Sequence, residues 1–438
     1  MIERVYSGEL SPEKDGEEVS IAGWVHEKRK LGGLLFLLVR DRDGIVQVTL
    51  PKKFVPAEVF ETAKGVSKES VVVVKGKLQA MDKAPGGVEV IPSQIEVLSS
   101  AASPLPLDPT GKVPANLDTR LDHRVLDLRK PQVAAIFKIR SRALKAAREH
   151  LLSQGFIEVH TPRIISTASE GGTELFPISY FEREAFLAQS PQLYKQMLMG
   201  SGLDRVFEIA TYFRAEEHDT IWHLNEITAV DCELAFISGY EDVLKVIEGL
   251  ICAMIREVKE HCSQELERLG VELEVPRTPF PRLTYAEVLS LLEEEANLKL
   301  PFGEDLTTEA EKKLGEIMHQ RGHELYFVTR FPLDAKPFYT MPDSEDPELS
   351  ASFDLEFKGR EIISGSQRIH DYDLLVQRIK AKGLREQNFS SYLEAFKYGM
   401  PPHGGFGMGI ERFLMLLLDL PNIREAVLFP RDRHRLEP

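Results

Sequence analysis

Apolar and polar positions alternate through most of the first hundred residues. Val19 to Val25, Leu34 to Arg40, Ile45 to Leu50, Val71 to Leu78 and Val88 to Val97 each keep a period near two, which predicts five strands. Gly32-Gly33 and Asp43-Gly44 supply turn residues, and Pro56 to Lys64 reads as a helix between the third and fourth strands. Further on the period lengthens. Between Gln132 and Gln154, Val133, Ile136, Phe137, Leu144, Ala147 and Leu151 share one helical stripe, and Gly155 stops it. A strand at Phe156 to His160 follows, then Thr161-Pro162. Residues 240–262 and 306–321 read as two more helices.

Five strands with a helix in that place predict an OB-fold barrel over residues 1–98, an architecture suited to single-stranded nucleic acid; other small barrels share the count. Residues 99–131 hold Pro104, Pro106, Pro109, Pro114 and Pro131 with little periodicity and read as a hinge. Residues 132–438 form a second domain, α+β in character, with a helical insertion at about 240–350.

The net charge of −15 argues against a general nucleic-acid binder. Locally the picture changes, because Lys28, Arg29, Lys30, Arg40, Arg42, Lys52 and Lys53 gather in the barrel. Singly each reads as a solvated side chain; together they predict a basic surface for a polyanion. Cys232, Cys252 and Cys262 fit neither a disulfide framework nor a zinc spacing, and predict buried thiols in a reducing compartment. No apolar signal region follows Met1-Ile2-Glu3-Arg4, and no run is long enough to span a bilayer. The expectation is a cytoplasmic protein without a membrane partner.

Four stretches carry candidate chemistry. In Ser190-Pro191-Gln192-Leu193-Tyr194-Lys195, Ser190 suits an N-cap and Pro191 the first helical position, which places Gln192 and Lys195 on one face where they can hold a small anion. In Tyr212-Phe213-Arg214-Ala215-Glu216, Arg214 and Glu216 alternate and would share one side of a strand. Arg214 offers a planar fork for a phosphate or carboxylate. Phe353 to Arg368 places Asp354 and Glu361 on two segments joined by a Lys358-Gly359 turn. Two carboxylates, with Ser364 as a third oxygen, suit Mg²⁺, while Arg368 suits a carboxylate. Last, Gly404-Gly405-Phe406-Gly407-Met408-Gly409-Ile410-Glu411-Arg412 opens an apolar helix, and its glycines would let backbone approach phosphate. Taken singly, the first three read as a solvated lysine, a cross-strand ion pair and a charged hairpin, and a glycine-rich turn is a weak signal.

In this order, the long helix with the strand-like Phe156-to-Pro162 segment after it, the Arg214 string and the Gly409-Ile410-Glu411-Arg412 helix start resemble motifs 1, 2 and 3 of class II aminoacyl-tRNA synthetases. Ala188 to Lys195 resembles the amino-acid-binding segment of the aspartyl-tRNA synthetases. With the barrel, the Glu170-Gly171-Gly172-Thr173 loop and the terminal Phe429-Pro430-Arg431-Asp432-Arg433, the likeness to the short archaeal type runs nearly end to end. It implies an antiparallel sheet flanked by helices, an anticodon-binding barrel and a homodimer formed through motif 1. It implies aspartate contacts from Glu170, Gln192, Leu193, Tyr194, Lys195, Arg214, Ser364 and Arg368, with Lys195 and Arg368 on the side-chain carboxylate. An asparagine enzyme should not keep both cations. ATP would meet Arg214, Ala215 and Glu216, then Trp222, His223 and Leu224, then Glu361 and the Gly409, Ile410, Glu411, Arg412 turn. Arg214, Glu361 and Arg412 would carry catalysis, and Mg²⁺ would sit on Glu361, Ser364 and Asp354.

His26 and Pro85 occupy places where family members strict for tRNA(Asp) have Trp and Lys; relaxed members, which also charge tRNA(Asn), have His and Pro. The pair implies tRNA(Asp) and tRNA(Asn) as partners and an aspartyl-tRNA amidotransferase downstream. A strict enzyme is the alternative, in which His26 is a surface histidine and Pro85 a turn residue. A silent RNA-binding paralogue would have lost Arg214, Glu361 or Arg412, and a tRNA-independent asparagine synthetase would lack the barrel. Three departures stand out. Trp222 replaces a motif 2 Arg, Ile227 replaces a Phe expected against adenine, and Ser366 replaces a Gly, which should tighten a turn.

Overall fold

The computed structural model describes residues 2–166 and 174–438, which divide into two compact units, Met1–Pro131 and Gln132–Pro438. The first is built on β1 (Glu18–Leu31), β2 (Leu34–Arg40), β3 (Ile45–Pro51), β4 (Val71–Ala80) and β5 (Val88–Ser99). They close as a barrel in the order β1-β2-β3-β5-β4, with a helix at Ala57–Gly65. Alternation decides which side chains go inside. Val25, Leu37, Val48, Leu50, Val72, Val74 and Val90 are fully buried, each worth about 1.5–3 kcal/mol over exposure.

Residues 99–131 are more ordered than the proline count suggests. Asn116 accepts from the Thr119 N–H (2.8 Å) and starts a helix at Leu117–Asp122; a short one follows at Arg124–Asp127. Their charges make the order possible. Buried Asp127 is paired with Arg120, Arg124 and Lys130, all within 3.0 Å. Arg129 reaches Glu69 (2.9 Å) and lies over the Trp24 ring.

The second unit holds one large sheet and a small one. The long helix runs Pro131–Ser153, and Gly155, at φ +81°, ends it. The strand expected at Phe156 to His160 shrinks to β6 (Ile157–Glu158). Next come β7 (Ile164–Ile165), β8 (Pro177–Tyr180), β9 (Arg183–Leu187), β10 (Arg205–Phe213) and β11 (Glu226–Ala235). The chain continues with β12 (Arg282–Thr284), β13 (Leu325–Thr329), β14 (Ser352–Phe357), β15 (Glu361–Arg368) and β16 (His403–Gly409). The large sheet has the order β12-β13-β14-β15-β16-β11-β10-β6, and β7-β9-β8 is separate. Its centre is antiparallel, while β12/β13 and β6/β10 at the edges pair in parallel.

Residues 240–350 are helical at Tyr240–His261, Ser263–Leu269, Tyr285–Ala296 and Thr308–Gln320, but they also supply β12 and β13 to the large sheet. The Tyr285–Ala296 helix has a readable start, a capping box between Thr284 and Glu287. Among the described residues no helix is long and apolar enough to cross a membrane.

Candidate active site

One face of β10, β11, β15 and β16 lines a cavity of about 280 Å³, closed on its flank by Lys336 to Thr340 and by the start of the Ile410–Leu417 helix. Its architecture follows from the glycine run. A Cβ on Gly405 would lie 2.1 Å from the Cys232 carbonyl and 2.2 Å from Glu233 Oε2. Glycine there clears space for a buried carboxylate on the neighbouring strand. The expectation that this run serves phosphate is thereby narrowed: of the four glycines, only Gly407 and Gly409 reach the cavity.

That carboxylate anchors the buried end of the site. Arg368 donates from Nε to Glu233 (2.9 Å), from Nη1 to Ser366 (2.8 Å) and from Nη2 to Gln192 (3.3 Å), and it lies over the Tyr339 ring. Ser366 therefore does not tighten a turn; it sits inside β15 and holds the guanidinium. The Gln192 Nε2 amide, buried on the cavity wall, finds no protein acceptor. The helix begins at Gln192 with Pro191 in the cap position, one residue later than expected, and no side chain caps it.

Lys195 departs from expectation. It stands behind the wall rather than on it, donating to Asp231 (3.0 Å) and to the carbonyls of Cys232 and Phe406, with Glu233 at 3.5 Å. Two cations thus meet two carboxylates, Asp231 and Glu233, which the sequence reading missed. The signal was present: acids at alternate positions in the otherwise apolar Ala229 to Ala235 run, where two-sided burial demands partners. Burial opposes charge on Glu233, but Arg368, then Lys195, carry its carboxyl below the ordinary range; at Asp231 burial wins and pushes it up. Leu193 and Tyr194 lie off the cavity wall.

His403, fully buried at the start of β16, accompanies this cluster. Burial, opposed by Glu233 and by a hydrogen bond with the Pro401 carbonyl, lowers its pKa to about 4. Because the unfolded chain binds this proton more readily, the contribution is complete above the ordinary histidine value and fades as pH falls towards 4. The linkage is worth about 3 kcal/mol. Paired urea unfolding of the wild type and His403→Gln from pH 7 to 4 should show the wild type losing that much more stability; parallel curves would contradict it.

The other end of the cavity is polar and open. Arg214, half exposed beyond the end of β10, lies 3.7 Å from Glu216; neither is in the strand, although both face the cavity. Asn225 holds this segment by donating to the carbonyls of Arg214 and Glu216, and its own N–H reaches the Arg431 carbonyl in the terminal stretch. Ala215 lies off the wall, while Trp222, His223, Leu224 and Ile227 form its apolar side. The Arg360 guanidinium stacks over the Trp222 ring, 4.8 Å from its centre. Arg412 donates to the Glu361 carbonyl (2.8 Å). Glu411 lines the cavity while pairing with Arg140 (2.7 Å) and accepting from the Thr228 N–H; Ile410 is buried off the wall.

β14 and β15 turn through Lys358 and Gly359, both at positive φ, and place Asp354 opposite Ser364. Glu361 and Ser364 line the cavity; Asp354 is buried behind them and bound by Lys336. One Asp354 oxygen, Oδ1, has no hydrogen-bond partner. Burial, with Glu361 adding to it, raises the Asp354 pKa to about 6. Two carboxylates, one of them with an orphaned oxygen, and a hydroxyl form a hard-oxygen set that fits Mg²⁺. Glu170 falls outside the described residues.

In the barrel, His26 is the extra residue of a β-bulge between Val25 and Glu27, 2.7 Å from Arg40. Bulges re-aim side chains. Burial, then Arg40, lowers its pKa. Pro85 is exposed in the Pro85–Gly87 turn before β5. Arg40 leaves the expected basic surface, being buried and doubly bonded to Glu69, whereas Lys28 caps the carbonyls of Lys64 and Val66.

An antiparallel sheet carrying a cavity on one face, and a five-stranded barrel as a second unit, agree with the expected class II plan. The model of tRNA synthetases class II (D, K and N) matches residues 116–433, and that of the OB-fold nucleic acid binding domain matches residues 19–98. The chain belongs to this class II family. It is 58% identical over its whole length to an aspartate–tRNA(Asp/Asn) ligase from Methanopyrus kandleri, and 55% identical to an aspartate–tRNA(Asp) ligase from Pyrococcus horikoshii; both are covered in full. The crystal structure of asparaginyl-tRNA synthetase from P. horikoshii complexed with asparaginyl-adenylate superimposes with a TM-score of 0.94, at 37% identity and full coverage of both chains.

Proposed function

We propose that the chain activates L-aspartate with ATP and transfers it to the 3′ end of tRNA(Asp) and tRNA(Asn). The observation that carries this reading is Arg368, a buried guanidinium on the cavity wall, fixed by Glu233, Ser366 and Gln192. A fixed cation suits a second carboxylate better than an amide. Identity above half to aspartate ligases, against 37% to the asparaginyl enzyme, agrees with it.

In the first step the aspartate α-carboxylate oxygen attacks the α-phosphorus of ATP, and pyrophosphate leaves. In the second, the terminal tRNA hydroxyl attacks the adenylate carbonyl, and AMP leaves. No protein nucleophile is required, because orientation and charge neutralisation suffice. Arg368 holds the side-chain carboxylate, with Lys195 acting through Asp231 and Glu233. Arg214 and Arg412 neutralise phosphate oxygens, and Glu216 accepts from the adenine amino group. Asp354, Glu361 and Ser364 would hold Mg²⁺, which supplies charge neutralisation on the triphosphate when bound. A cytoplasmic homodimer, with an amidotransferase consuming aspartyl-tRNA(Asn), completes the reading.

Relaxed tRNA choice rests on His26 and Pro85. The 55% identity to a tRNA(Asp) ligase favours the strict reading almost as strongly as 58% favours the relaxed one, so overall likeness does not decide. Purified tRNA(Asn) should accept aspartate at a rate within about tenfold of tRNA(Asp), and His26→Trp with Pro85→Lys should remove that charging selectively. Charging of tRNA(Asp) alone by the wild type would establish the strict enzyme.

A further inference from the structure

Lys336 has no part in the two-step scheme, yet it is among the most buried cations of the second unit and lines the same cavity. It follows the short turn Leu333–Ala335, a stretch that shows no periodic pattern. Its ammonium donates to Asp354 Oδ2 (2.8 Å) and sits 3.7 Å from the centre of the Phe331 ring. The carboxylates acting on this ammonium are Asp354, at hydrogen-bond distance, then Asp305 and Glu361. The only Asp354 oxygen left without a partner is Oδ1.

We propose that Lys336 is a resident counter-ion for the magnesium carboxylates, withholding Asp354 from divalent cations until the nucleotide arrives. Asp354 and Glu361 near each other without a cation would be costly in a buried site, and would attract any divalent ion present. The ammonium neutralises one of them. Among the described residues no group of three or more acidic, histidine or cysteine side chains is placed to hold a metal alone. The ion is therefore recruited with the triphosphate, whose oxygens supply the remaining ligands. A lysine suits this role better than an arginine, being a compact point charge on a flexible stem that can yield the carboxylate.

This role rests on the magnesium assignment of the preceding section, and the test separates the two. Mn²⁺ binding is followed by electron paramagnetic resonance, without nucleotide and with a non-hydrolysable ATP analogue. Lys336→Met should bind Mn²⁺ at least about tenfold more tightly than wild type without nucleotide, and Lys336→Met with Asp354→Asn should return to the wild-type level. Asp354→Asn alone leaves the Lys336 ammonium uncompensated beside Glu361 and should weaken Mn²⁺ both without nucleotide and in the analogue complex. Unchanged or weaker nucleotide-free binding by Lys336→Met overturns the proposal. If that variant does not fold, Lys336→Gln is read in its place by the same criterion. Analogue-complex affinity unaffected by Asp354→Asn would remove Asp354 from the magnesium site itself, a separate failure.

Discussion

Arg214→Ala should lower aspartate-dependent ATP–pyrophosphate exchange about a thousandfold, mainly in kcat, with little change in folding. The side chain is half exposed and its nearest charged partner, Glu216, is 3.7 Å away, so the framework does not lean on it. What it can do is meet charge that appears when the carboxylate and the α-phosphorus approach. Arg214→Lys keeps a charge but loses the planar fork and should recover only part of the rate. Near-normal exchange in Arg214→Ala, with thermal unfolding unchanged, would remove the residue from the reaction and with it the motif 2 assignment.

Arg368→Met should act quite differently, costing both activity and stability. Glu233 is fully buried, and removing Arg368 leaves it with Lys195 alone, at 3.5 Å and shared with Asp231. Truncating one partner of such a cluster costs about 3 kcal/mol or more. Adding Glu233→Gln should restore most of the stability, because the remaining Lys195–Asp231 pair is balanced. Aspartate activation should stay lost in the double variant, since the cation on the cavity wall is still missing. Urea unfolding and pyrophosphate exchange on the four proteins of the cycle read the two effects apart. Recovery of exchange together with stability would mean that Arg368 serves the core and not the substrate.

These two arginines also show where sequence reasoning reached and where it stopped. Arg214 stands in a string whose neighbours, Phe213 to Glu216, announce its surroundings. Arg368 was recognisable as a carboxylate binder, but its own holder was not. Glu233 lies 135 positions away, and Lys195 finds the Phe406 carbonyl across 211. No local pattern encodes such distances. Lys336, in a stretch without periodicity, left no trace at all. Nor did the joining of β12 and β13 to the large sheet, because short strands between helices carry too few alternations to declare a partner.

The chain's own pattern of apolar residues was enough to determine the five barrel strands, the long Pro131–Ser153 helix, the Lys358-Gly359 hairpin and the helix that begins after Gly409. Period and turn chemistry act over a few residues, and those preferences survive folding. Only the tertiary structure decided which charges face one another: that Lys195 stands behind the wall, that Gly405 makes room for Glu233, and that Asp354 is shared with Lys336. Burial makes an unpaired charge expensive, so the fold must settle those pairings together, and it does so between strands that are neighbours in space and strangers in sequence.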